Sequence, residues 1–136
     1  MELERLLGLK EGINYLTDTQ RNLYYRGRKF ELVFTNDDFV NSRNPSGYDV
    51  NWDYWNVFML QVLVYNRSPK EFIDILVVHE LKEADLVFHE GMTTHEAHIV
   101  TVPIHLEYAH KYLSEKDYKR FLDWDYKIKL NASAGI

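Results

Sequence analysis

The apolar run Ile75-Leu76-Val77-Val78 passes directly into His79-Glu80, and this junction constrains the fold more than any other stretch of the chain. Such a run belongs in a core, and a histidine beside a carboxylate at its end needs polar partners there. The surrounding segment, Ser68 to Phe88, reads as a helix. Ser68 is a candidate N-cap, Pro69 suits the first helical position, and Glu71 is the return partner of a capping box. Phe72, Ile75, Leu76, Val78 and Leu86 recur at helical spacing, and Gly91 supplies the stop. The rest of the chain has to cover this helix.

On it, His79 and Glu83 lie four residues apart and project within about 40° of each other. The motif is HExxE: Glu80 stands where the HExxH of zinc hydrolases places its general base, and Glu83 replaces the second histidine. A divalent ion needs three or four ligands from separate elements, with one position open if the site is catalytic. His89 has the spacing of the third ligand in HExxHxxGxxH, but Leu86 stands where that pattern has its bending glycine. A continuing helix carries His89 roughly 80° away from His79, and it is set aside.

All six histidines, His79, His89, His95, His98, His105 and His110, fall in one 32-residue window, so the titratable chemistry sits in the second half of the chain. Thr93-Thr94-His95-Glu96 is a capping box opening a helix to about Leu113, bent at Pro103. On this helix His98 and His105 nearly share a face, with His95 one turn before His98. Antiparallel packing through the short Glu90 to Thr94 connection would aim His98 at the His79/Glu83 pair. His105 would then lie behind the ligands or act as a transition-state donor, and His95 and His105 remain alternative ligands. Glu107 would face away.

Ahead of the central helix, Glu2 to Tyr25 reads as helical and Arg26-Gly27-Arg28 as a turn. Lys29 to Thr35 alternates Phe30, Leu32 and Phe34 on one face and reads as a strand. Asn36 to Gly47 is a loop rich in turn formers, and Tyr48 to Asp53 a short strand. Val57 to Tyr65 is the strongest strand and reads as buried on both faces for most of its length; Tyr48, Trp52, Tyr54 and Trp55 just ahead of it finish a core or sheet surface, with a ligand-stacking wall as the alternative. Ser114 opens a last helix over Glu115 to Lys127, and Asn131 to Ile136 reads as a frayed tail. The order of elements predicts an α+β fold: one domain over 1–136, helical over 1–28, strands over 29–66, and a helical metal-site half over 68–127.

Composition limits the partners. A net charge of −5 gives no general case for nucleic-acid binding, and the absence of cysteine removes disulfides and thiolate ligands. The longest apolar run, Val57 to Val64, contains Gln61 and is too short to span a bilayer. The N-terminus is acidic and amphipathic, unlike a secretory signal, so a cytoplasmic protein is expected.

The order of a strand (KFELVFT), a buried strand (VFMLQVLVY) and SPKEFIDILVVHELKEA resembles the core of small zincin-like metallopeptidases, in which an edge strand precedes the motif helix. HELKEADLVFHEGMTTHEAH is also similar to a family of small prokaryotic and viral proteins with HExxE, a short glycine turn and a helix that begins with Ala-His. The resemblance covers about Ser68 to Leu113 and the strands ahead of it. It implies a zincin-like sheet packed by helices, with His79, Glu83 and His98 as ligands of one divalent metal, zinc first. Glu80 would be the base that activates a metal-bound water against a peptide or small-molecule substrate. A glutamate ligand adds negative charge and should weaken the ion as a Lewis acid. Two other readings follow from the same residues: a non-catalytic metal-binding or structural module, and metal-free acid–base chemistry by histidine pairs, which the acidic charge disfavours.

Overall fold

A computed structural model describes residues 20–25, 28–52 and 58–134. The fold is α+β. A four-stranded mixed sheet of order β1-β2-β4-β3 is formed by β1 (Gln20–Tyr25), β2 (Arg28–Thr35), β3 (Ser46–Trp52) and β4 (Phe58–Tyr65). Strands β2 and β4 are parallel; β1 pairs antiparallel with β2, and β3 antiparallel with β4. Parallel pairing between β2 and β4 requires a crossover, and the chain makes it through β3, which lies at the sheet edge. Three helices follow: α1 (Ile73–Glu90), α2 (Thr94–Tyr112) and α3 (Glu115–Ala134).

In register, Phe30 faces Leu60, Leu32 faces Val62, and Phe34 faces Val64, and all six are buried in one cluster. Their neighbours Gln61 and Leu63 are only half-buried. Strand β4 therefore has one core face instead of two, as the period of two dictates when a single helical layer covers a sheet. The sheet's buried face packs against α1, in which every residue from Ile73 to Val78 is buried, with Leu81 and Ala84 below them. Each large apolar side chain removed from water here contributes about 1.5–3 kcal/mol.

Helix α1 opens through a 3-10 turn, Lys70–Phe72, with no side-chain cap, and the Ser68 hydroxyl is buried without a hydrogen-bond partner. The expected capping box at Ser68 and Glu71 is not formed; Glu71 instead pairs with Arg120 of α3 at 3.0 Å. Gly91 ends α1 in the left-handed region (φ 71°), and the peptide N–H groups of Gly91 and Met92 both donate to the Leu86 carbonyl. Helix α2 begins with the expected reciprocal cap: Glu96 N donates to Thr93 Oγ1 at 3.1 Å, and Thr93 N to Glu96 Oε1 at 3.0 Å. Its buried residues Ala97, Thr101, His105 and Tyr108 form one stripe, and α1 and α2 pack against each other. Helix α3 sends Phe121 into the core, where its ring lies 5.3 Å from that of Phe72.

Two further expectations differ from the structure. Gln20–Tyr25 is a strand, not the end of a helix; Tyr25 pairs directly with Arg28, the spacing of a two-residue hairpin connection. The rest of the expected N-terminal helix, and Tyr54 and Trp55, lie outside the described residues. The last helix runs past Lys127 to Ala134, so most of the segment read as a frayed tail is helical. No helix among the described residues is long and apolar enough to cross a membrane.

Candidate metal centre

The tight turn at Gly91 folds α2 back along α1, so that His105 meets His79 while His98 meets Glu83, the crossed order of an antiparallel pair. The i,i+4 spacing within α1 brings His79 Nε2 to 2.9 Å from Glu83 Oε2. The same carboxylate oxygen lies 3.2 Å from His98 Nδ1. These three residues each offer a ligand atom, and the atoms lie within 4.8 Å of one another. Ligand atoms around a tetrahedral ion with bonds of about 2.0–2.1 Å are separated by roughly 3.3 Å, so the group can hold a metal ion with small side-chain adjustments. Burial is uneven: the side chains of His79 and Glu83 are 13% and 9% exposed, that of His98 50%.

Glu80 leaves α1 on the side facing the sheet, is itself buried, and accepts a hydrogen bond from Ser46 Oγ at 2.8 Å. Its Oε2 stands 3.9 Å from His79 Nε2. Burial raises the Glu80 carboxyl to about 7, with the positive charge available on His79 pulling against that rise. His79 shows the opposite balance. Burial alone would lower it, but the Glu83 hydrogen bond and the charges of Glu80 and Glu83 together raise it above its ordinary value. Burial likewise resists ionisation of Glu83, yet the bonds from His79 and His98 leave it below the usual carboxylate range.

His105 lies behind His79, its Nδ1 atom 2.7 Å from His79 Nδ1. It is held down to about 4, first by burial and then by the charge of His79. With His79 raised and His105 lowered, His79 donates from Nδ1 and His105 accepts, while His79 Nε2 donates to Glu83 or, once deprotonated, is free for an ion. His95, by contrast, is exposed on the first turn of α2 and is not in the three-residue group. His89 pairs with Asp85 at 2.7 Å on another side of α1. His110 lies against Tyr118 with the rings tilted, and Glu107 is exposed.

A cavity of about 220 Å³ opens beside the ligands, lined by His79, Glu80, His98 and His105 together with residues from the loop before β3 and from α3. Ser46 and the α3 residues Phe121, Asp125 and Lys129 were not singled out from the sequence, whereas Tyr48 reads there only as one of the aromatics ahead of β4. Tyr48 on β3 feels the charges of Glu83 and Glu80, and its phenol is raised, first by burial. No spacing rule reaches these residues, because Ser46 and Glu80 are 34 positions apart. Edge-strand placement of the Tyr48 segment was the one available signal. Set against family models, curated proteins and solved structures, the chain matches none of them.

Proposed function

We propose that the chain is a metal-dependent hydrolase of minimal zincin type, with His79, Glu83 and His98 holding one divalent ion, zinc first, and Glu80 serving as base. The observation that carries this reading is Glu80: a buried carboxylate raised to about 7, in the wall of a cavity lined also by the two histidines of the ligand group, His79 and His98. A base is most effective when its pKa lies near the working pH. Zinc in such a group supplies Lewis acidity toward a carbonyl oxygen. Glu80 accepts a proton from the attacking water and returns it to the leaving nitrogen, while Ser46 fixes the carboxylate by its hydrogen bond. His105 orients the ring of His79, and the half-exposed His98 leaves the ligand group accessible from the cavity.

A non-catalytic metal-binding module is the competing reading. It is favoured by the His98–Glu83 bond, which already ties α2 to α1, while His79 holds the same Glu83 oxygen from within α1. Metal analysis of protein purified without a nickel column, followed by an amide-hydrolysis screen of the wild type and Glu80→Gln, separates the two. Hydrolysis lost in Glu80→Gln at unchanged metal content supports the enzyme; metal bound with no hydrolysis by the wild type supports the module.

A further inference from the structure

The lining of the cavity beside the ligand group mixes apolar and charged side chains. Ile75, Leu76, Val102, Phe121 and Ile128 are its apolar part, and the carboxyl groups of Glu80 and Asp125 also line it. Arg43 belongs to the same lining, and among the described residues its guanidinium has no ion-pair partner. The second cation of the lining, Lys129, is already paired with Asp125 at 2.9 Å. In a chain of net charge −5, Arg43 is thus the one uncompensated cation lining this cavity among the described residues.

The backbone beneath Arg43 is fixed. Arg43 N donates to Asn41 Oδ1 at 3.0 Å, Asn41 and Asn44 exchange backbone bonds of 3.0 and 3.2 Å, and Asn44 Nδ2 donates to the Phe39 carbonyl at 2.7 Å. Asp37 closes the start of the loop by accepting from the N–H groups of Phe39 and Val40. A planar guanidinium on a pinned loop suits a planar anion, a carboxylate above all. At about 220 Å³ the cavity is smaller than the pockets of drug-sized ligands, which start at about 300 Å³, and has room for little more than one side chain and its attachments.

We infer that the cavity receives the free carboxylate end of an N-acylated apolar amino acid or of a peptide ending in one, with Arg43 binding the carboxylate and the apolar residues of the lining holding the side chain. The inference rests on the hydrolase reading for what is released. The oxygen of water bonds to the acyl carbon, the C–N bond breaks, and the proton taken from water goes to the nitrogen. The products are a carboxylic acid and a free amino acid, with no change of oxidation state.

The test is equilibrium binding of three probes, N-acetyl-L-phenylalanine, its primary amide and N-acetylglycine, to the zinc-loaded protein and to the protein after chelation. The acid should bind about tenfold tighter than the amide, the size expected for losing one charge-assisted contact. It should also bind about tenfold tighter than N-acetylglycine, from burial of the benzyl group. Arg43→Gln should remove the first preference and keep the second, with metal content and melting temperature unchanged. Arg43→Lys, which keeps the charge without the fork, should retain part of the first preference. Absence of binding by the acid, an acid preference that survives in Arg43→Gln, or equal binding of N-acetylglycine overturns the inference. Arg43-dependent binding without hydrolysis of the acid by the zinc-loaded protein overturns the hydrolase reading alone. Hydrolysis of other amides without the acid preference overturns this inference alone.

Discussion

His79 and His105 meet through their Nδ1 atoms at 2.7 Å, so one ring must offer a lone pair where the other offers a proton. His79 is raised and His105 lowered, so His79 carries the shared proton and His105 is the acceptor. Once Nε2 of His79 gives up the proton it shares with Glu83, its lone pair faces Glu83 and His98, the direction from which an ion would be held.

Replacing His105 by Phe should therefore weaken metal binding by about 10–100-fold, the usual cost of losing a partner that orients a ligand. The fold should persist, because the ring already lies against Phe121 at 6.1 Å between centroids. Competition with a chromogenic chelator reads the affinity. Full affinity in a folded His105→Phe protein would remove His105 from the centre.

Single substitutions should separate the roles around the centre. His79→Ala and His98→Ala should each abolish stoichiometric metal, since each deletes one of three ligands. Glu80→Gln should keep the metal, because the amide preserves shape and can still accept from Ser46 while losing the ability to take a proton. His95→Ala should change nothing, being exposed and outside the group. Metal lost from Glu80→Gln as completely as from His79→Ala would make Glu80 a ligand instead of the base.

The helical half of this arrangement was legible locally. The four-residue step from His79 to Glu83, the glycine that reverses the chain and the Thr93/Glu96 cap are all written in short spacings, and together they bring α2 back along α1. What surrounds Glu80 was not legible. Its contact with Ser46 and the cavity wall from α3 depend on packing between elements far apart in sequence, which no local pattern encodes. Gln20–Tyr25, expected to end a helix, is a strand whose identity comes from hairpin pairing with β2. The cap at Ser68 failed for a physical reason: its hydroxyl is buried, and the helix starts with a 3-10 turn instead.

Core packing gives a stability prediction independent of the metal. Leu81 is fully buried between the sheet and the helices, so Leu81→Ala should cost about 2–5 kcal/mol. Gly91→Ala should cost about 1 kcal/mol, since its φ of 71° is strained for any Cβ even though the space around it is empty. Urea denaturation of the two variants should rank them in that order. Equal losses would mean that α1 is less central than its burial indicates.

In metal-free protein, Glu80 and His105 should tilt the pH profile in opposite directions. Glu80 is raised from 4.5 to about 7, so the folded state keeps a proton that the unfolded chain releases. Its contribution is full below about pH 4.5 and is lost as pH rises through 7, on the order of 3 kcal/mol in all. His105 is lowered from 6.5 to about 4, so its contribution is present above pH 6.5 and is lost as pH falls through 4. Wild-type stability minus that of Glu80→Gln isolates the first effect, and the difference should decline from pH 4.5 to 7 and then level. A difference that rises over that window would mean that Glu80 is ionised in the folded protein.

Metal loading should reverse the contribution of His79. Without metal its pKa is raised, so its contribution is full below its unfolded value of about 6.5 and is lost as pH rises through the folded value. With metal, His79 and His98 must offer deprotonated ring nitrogens, which depresses their effective folded-state pKa values. The stability so gained is present above about pH 6.5 and is lost as pH falls, with release of the ion between roughly pH 6 and 4. Loaded and stripped proteins should thus differ most in melting temperature above neutrality and converge near pH 4. Calorimetric metal titrations in buffers of different ionisation enthalpy should show net proton release that grows as pH falls toward 6, because His79 surrenders its proton to bind. Melting curves that coincide for loaded and chelated samples across the whole range would mean that no metal is linked to folding, and would leave His79, Glu83 and His98 as a hydrogen-bonded clamp between α1 and α2.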